Sequence, residues 1–305
     1  MKSLPVAVGI AAITMAPLVN AHGWGVVTHA YIAARLNHQF GRDDPNLMCG
    51  AMAPDVFNNL VGLPSEVDLP SYTHSEPYCL QILDAAASRS QRALVYGFIC
   101  HNDDWGADFT AHHSGRTFGK GKGYVIVKAE ALAAIAAMPT NFPKTVALEL
   151  GHNLVEMSVD VLMRRLDPEI GRKIAAAARN RDPGFPSLLI RSYSADFRRE
   201  SSHLDVVPLI EGSETSFRRL MEVYGQGLMK DEPAAIKMLA EHLADLAPFY
   251  LKARHLAVPP RDEVVAMLVM NVNLAMQLCE RDYAKEIAAT IRFVDQQLKN
   301  HRIKD

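Results

Sequence analysis

The 305-residue chain is poor in several things that proteins are commonly built on. It has only four cysteines, Cys49, Cys79, Cys100 and Cys279, and their spacing fits no zinc-finger pattern. They allow three complete disulfide pairings or buried free thiols, and spacing does not choose among these. There is no surplus of positive charge: 32 Lys and Arg against 34 Asp and Glu give a formal net charge of −2. That argues against a protein that lives on a phosphate backbone, which needs a basic excess, so no stable nucleic-acid partner is expected. Sustained alternation of apolar and polar residues is missing, as is any βαβ rhythm, which excludes a fold built on sheets. No internal repeat and no low-complexity tract follows the first twenty or so residues.

What the chain has is helical periodicity. With 49% hydrophobic residues a sizeable core is available. Apolar residues recur at helical spacing over Thr28–Phe40, Gln91–Cys100, Tyr124–Met138 and Val146–Leu166. Further runs are expected near Pro168–Asn180, Glu214–Met229, Ala234–Leu251 and Arg261–Leu298. The class is all-α, a multi-helix bundle with long connections. Pro and Gly punctuate it at Leu63–Ser71, Ser114–Gly123 and Arg181–Pro186. Residues 24–182 then form the unit that carries candidate chemistry, and 183–305 a helical extension packed on it.

The start of the chain reads as a secretory signal: Lys2, then a charge-free stretch from Leu4 to Val19, then small residues. Cleavage after Ala21 or after Gly23 fits, giving an exported protein, periplasmic or secreted.

Histidines and carboxylates cluster between Trp24 and Glu156. On one continuous helix His101, Asp108 and His112, at offsets of seven and eleven, would form a single stripe. Gly106 interrupts that stretch, which makes Asp103 and Asp104 rival carboxylates. His152 and Glu156 are four apart and share a helix face, as metal ligands or as a plain solvated pair. His29, Asp55 and His74 are weaker singly; a proline-preceded Asp55 also suits a turn or helix cap. Together these residues supply up to eight side-chain ligands, enough for two or three zinc ions. Clustered metals polarise phosphoryl oxygens and acidify water.

In their order along the chain, these segments resemble the zinc-dependent phospholipase C family, which shares its fold with the trinuclear-zinc single-strand nucleases. The matching pieces are Trp24-Gly-Val-Val-Thr-His29, Ala53-Pro54-Asp55, His74, Gly97-Phe-Ile-Cys-His101, Ala107-Asp108-Phe-Thr-Ala-His112 and His152-x-x-x-Glu156. The resemblance covers about Trp24 to Asp160. It implies one zinc on Asp55, His74, His101 and Asp108, and a second on His112, His152 and Glu156. A third would take Trp24, through the amine and carbonyl of a mature N-terminus, with His29 and a bridging Asp108. It also implies Asp55 as general base, with bridging hydroxide as the other candidate nucleophile. The family's central aspartate follows its histidine by four residues; here that position is Trp105, and Asp104 stays open as the ligand beside Asp108. Ser114–Lys144 lengthens the spacing before His152 and holds a Gly-Lys loop, Gly119–Gly123, either poised over a phosphate or a mobile surface turn.

The implied activity is zinc-dependent hydrolysis of phosphodiesters, with a phospholipid or other phosphate ester as substrate and peripheral membrane contact. A nuclease or nucleotidase on the same metals is the alternative. A helical protein with structural zinc and no activity is the reading from a different class.

Overall fold

A computed structural model describes residues 23–58, 68–136, 142–202 and 205–303. The signal-like segment through His22, most of the Leu63–Ser71 break and His203 lie outside the described residues. Helices dominate, and several begin where a side chain satisfies the first N–H groups. Helix α1 (Val26–Arg35) takes its cap from far along the chain: the Asp160 carboxylate accepts from Val27 N (3.2 Å), Thr28 N (2.8 Å) and Thr28 Oγ1 (2.8 Å). Helix α2 (Pro45–Met52) opens at Asp44, whose Oδ1 accepts from Asn46 N and Leu47 N, with Pro45 in the first turn, where its missing N–H costs nothing. A 3₁₀ turn, Ala53–Phe57, then carries Asp55. Asp68 caps α3 (Leu69–His74) and Ser88 caps α4 (Arg89–His101).

After α5 (Ala107–His112) comes a hairpin of two-residue strands, β1 (Ser114–Gly115) and β2 (Gly119–Lys120), paired antiparallel with Ser114 opposite Lys120. The Gly-Lys loop is therefore the second half of a small exposed hairpin. The helices α6 (Tyr124–Ile135), α7 (Lys144–Leu162), α8 (Ile170–Asn180), α9 (Phe185–Glu200) and α10 (Val206–Leu228) follow. The chain closes with α11 (Glu232–Ala253), α12 (Arg261–Cys279) and α13 (Tyr283–Asn300).

The all-α expectation holds, and the buried residues form a single hydrophobic core that runs from Trp24 to Leu298. Helices α2 and α4 pack backbone to backbone through paired glycines: a Cβ on Gly50 would lie 1.8 Å from the Leu94 carbonyl oxygen, and one on Gly97 2.1 Å from that of Leu47. That contact holds the Asp55 turn against the end of α4. Residues beyond 182 enter the same core, with α10 on α8, α12 on α6 and α7, and α13 on α1 and α5.

Several boundaries differ from the expected runs. The first helix stops at Arg35, because Leu36 is extended. The run Arg261–Leu298 is two helices with a turn at Glu280–Asp282. Helix α9 starts inside the Arg181–Pro186 break, since Pro186 occupies the helix's first turn and opens it instead of blocking it. All four cysteines are free and buried.

Candidate metal centre

The continuous stripe expected for His101, Asp108 and His112 does not form, and the reason is Asn102. Helix α4 ends at His101, and Asn102 turns the chain away with ψ 159°. Its Oδ1 then accepts three successive N–H groups, from Asp104 (3.0 Å), Trp105 (2.9 Å) and Gly106 (3.1 Å), while its Nδ2 donates to the Ile99 carbonyl (2.7 Å). The wrapped turn has no room at Gly106, where a Cβ would sit 2.5 Å from the Asn102 carbonyl oxygen. A fresh helix starts at Ala107 and brings Asp108 back beneath His101. His101 and Asp108 therefore meet from two helices, while His112 goes to a separate group.

Asp108 is fully buried and stands at the centre. Its Oδ1 lies 2.8 Å from His29 Nε2 and accepts from Trp24 N at 3.2 Å; its Oδ2 lies 3.0 Å from His101 Nε2. The His29 and His101 rings stack with centroids 3.6 Å apart. Asp55 Oδ1 lies 3.3 Å from His74 Nε2 and 3.8 Å from His101 Nε2, and it accepts from Asn58 Nδ2 at 2.5 Å. Two triads within reach of one cation each therefore share His101: His29, His101 and Asp108, and Asp55, His74 and His101. A third triad within reach of one cation is Asp103, His112 and His113, and His112 Nε2 also faces His152 Nε2 at 3.3 Å. Glu156 Oε1 meets His152 at Nδ1 (3.1 Å), the nitrogen that does not face His112. The His152–Glu156 clip is thus present as an i, i+4 pair, with the carboxylate on the ring's other nitrogen.

The rival carboxylates separate cleanly. Asp104 points elsewhere and accepts the Glu76 N–H at 2.6 Å. Asp103 faces histidines from behind: its Oδ1 is 2.6 Å from His112 Nδ1 and its Oδ2 3.1 Å from His113 Nε2. Burial pushes the Asp103 acid up, but its hydrogen bond with His112 wins and holds it below the usual carboxylate range. Sequence reasoning gave no role to Asp160, although its place four residues after Glu156 puts it on the same helix face. It also passed over Asn58 and Asn153.

Do these residues suit zinc? The backbone fixes the tautomers. His101 Nδ1 is 2.8 Å from the Ala51 carbonyl and His74 Nδ1 is 2.9 Å from that of Pro70, so each Nδ1 carries a proton. Each Nε2 then faces carboxylate oxygens. His29 Nε2, His101 Nε2, Asp108 Oδ2 and Glu156 Oε1 are buried without a properly directed hydrogen bond. The charges act on one another across the site. Burial, then the negative charges of Asp55, Asp108 and Asp160, push Glu156 well above its ordinary range. Burial would lower His101, but the charges of Asp108 and Asp55 raise it to about 9. Burial, seconded by the charge on His101, lowers His29. Burial would raise Asp108 too; the two histidines overcome it and hold it well below the carboxylate range. Buried acids crowded against imidazole Nε2 atoms make the mixed N and O donor set that zinc takes.

The chain matches no family model, no curated protein and no solved structure.

Proposed function

We propose that this chain is an exported, zinc-dependent phosphodiester hydrolase of the phospholipase C kind. The observation that carries the reading is Asp108, buried and shared between His29 and His101, with Asp55–His74 on one side and the His112–His152 pair with Glu156 as a further group. Asp55, His74, His101 and Asp108 would hold one ion, His112, His152 and Glu156 a second, and Trp24, His29 and Asp108 a third. Zinc there supplies Lewis acidity to phosphoryl oxygens and makes water a better nucleophile at neutral pH.

The protein's own residues do the positioning. The carbonyls of Ala51 and Pro70 lock the rings of His101 and His74 with Nε2 inward. Asp103 does the same for His112 from Nδ1. Asp55 lies at the wall of the adjoining cleft and is more exposed than the buried Asp108, which suits it to take a proton from incoming water. A phospholipid head-group ester is the substrate that fits the proposal, met at a membrane surface.

The test is metal content together with hydrolysis of phosphate esters by the purified mature protein, beside His101→Ala and His152→Ala. The expected result is about two or three zincs per chain, with both metal and activity reduced in the variants. A folded protein that takes up no zinc and cleaves no phosphate ester would overturn the reading.

A further inference from the structure

A cleft of about 100 Å³ opens beside the ligand cluster. Asp55, Glu156 and Asn153 bound its polar side. The opposite wall is apolar: Met157 from α7, Phe217, Leu220 and Met221 from α10, Leu239 and Leu243 from α11. None of those six side chains has a part in holding metal. Most of the wall comes from the helices beyond residue 182, for which the sequence offered no chemistry.

The polar side carries unused hydrogen-bonding capacity. Asn153 is only 8% exposed, yet neither its amide nitrogen nor its amide oxygen has a partner among the described residues. Asn58 uses its Nδ2 on Asp55, and its buried Oδ1 has no partner either. An unpaired buried amide destabilises the fold, and a leucine of similar size at 153 would avoid that cost. A buried amide unsatisfied within the protein and lining a cleft is explained by a ligand that completes it.

We propose that this cleft is the subsite for one short apolar substituent of the substrate, with Asn153 donating a hydrogen bond to an oxygen on phosphorus. The preferred substrate is then a phosphodiester with an alkyl substituent, and not a bare methyl, beside the phosphorus. This rests on the hydrolase reading given above. Size sets the class: an apolar cavity of about 150 Å³ accepts benzene, so this smaller cleft covers about four carbons of one substituent beside the phosphorus, and longer acyl chains of a phospholipid would extend beyond it. Composition agrees, since a nucleotide sugar and base would bring many polar atoms against a wall from α10 and α11 whose polar lining is limited to Tyr224 and His242 among the described residues.

Two measurements on the zinc-loaded full chain test the subsite separately from the chemistry. The first is calorimetric titration with hexylphosphonate and with methylphosphonate. The second is kcat/KM for p-nitrophenyl hexyl phosphate and p-nitrophenyl methyl phosphate. The hexyl compound is expected to lead by about tenfold or more in both. Leu220→Trp, and the gentler Leu243→Phe should the first fail to fold, bring that ratio toward one. Met270→Trp, on the exposed side of α12, leaves it as it was. Asn153→Leu weakens both phosphonates by about tenfold, the worth of a hydrogen bond to a charged group. A wild-type ratio near one, or a ratio that neither filling variant moves, overturns the subsite. Selective hexylphosphonate binding that the filling variants abolish, in a protein that hydrolyses nothing, would keep the subsite and remove the hydrolase reading alone.

Discussion

The carboxylate of Asp108 stands between His29 and His101, one oxygen 2.8 Å from the first ring and the other 3.0 Å from the second. No other side chain of the cluster reaches both. Asp108→Asn keeps the shape and removes the charge. It is expected to lower zinc content by about one ion per chain and hydrolysis by about 100-fold or more, with helical circular dichroism unchanged. Full zinc content in the variant would remove Asp108 from the centre.

Asp103 and Asp104 are neighbours with opposite prospects. Asp103 backs His112, whereas Asp104 ties down Glu76 N. Asp103→Asn is expected to weaken zinc binding by about 10- to 100-fold, the usual cost of losing a carboxylate behind a ligating histidine. Asp104→Asn should leave zinc affinity where it was. Competition with a chelator of known affinity measures both, and equal effects would refute the assignment.

Asp160 ties stability to pH. Burial raises its acid to about 7 against the hydrogen bonds from Thr28, Val27 and Tyr224. An acid raised in the folded state stabilises the fold fully below its unfolded pKa, near 4, and that contribution is lost as pH climbs through about 7. In chelator, the wild-type melting temperature should therefore fall from about pH 5 to pH 8 more steeply than that of Asp160→Asn. Identical slopes would dismiss the linkage. Asp160→Ala, which strips the cap from α1, should cost about 1–3 kcal/mol in denaturant unfolding.

The thiols should be inert. Burial pushes Cys49 and Cys279 up to about 12, and raises Cys79 and Cys100 as well. A thiol-reactive chromogen is expected to label none of the four in the native protein and all of them after unfolding, and a reductant should leave the melting temperature unchanged. Rapid native labelling would contradict the burial.

Spacing along the chain exposed the ligand-type residues because helical offsets and residue chemistry are local properties. His152 and Glu156 meet as an i, i+4 pair should, and the helical class follows from periodicity alone. The joint between His101 and Asp108 was not legible. It depends on one amide oxygen gathering three N–H groups, a tertiary detail that offsets of seven and eleven disguise. Asp160 escaped notice for a similar reason: its work is at the start of α1, which the sequence leaves more than 130 residues away. The apolar wall of the cleft required knowing that α10 and α11 fold back over α7.

Helix α13 sits behind all of this. Glu286 accepts the Arg116 and Thr117 N–H groups, Thr290 bonds Thr110, which in turn accepts from the Trp24 indole, and His301 stacks on Trp105. The turns and helix that carry Asp108 and His112 thus lean on residues far along the chain. During synthesis the ligands emerge first and their brace about 170 residues later. A nascent chain halted before Tyr283 would lack the Thr290–Thr110 bond and the Glu286 contacts, so the final placing of α5 waits for α13 even though α6 already packs on it.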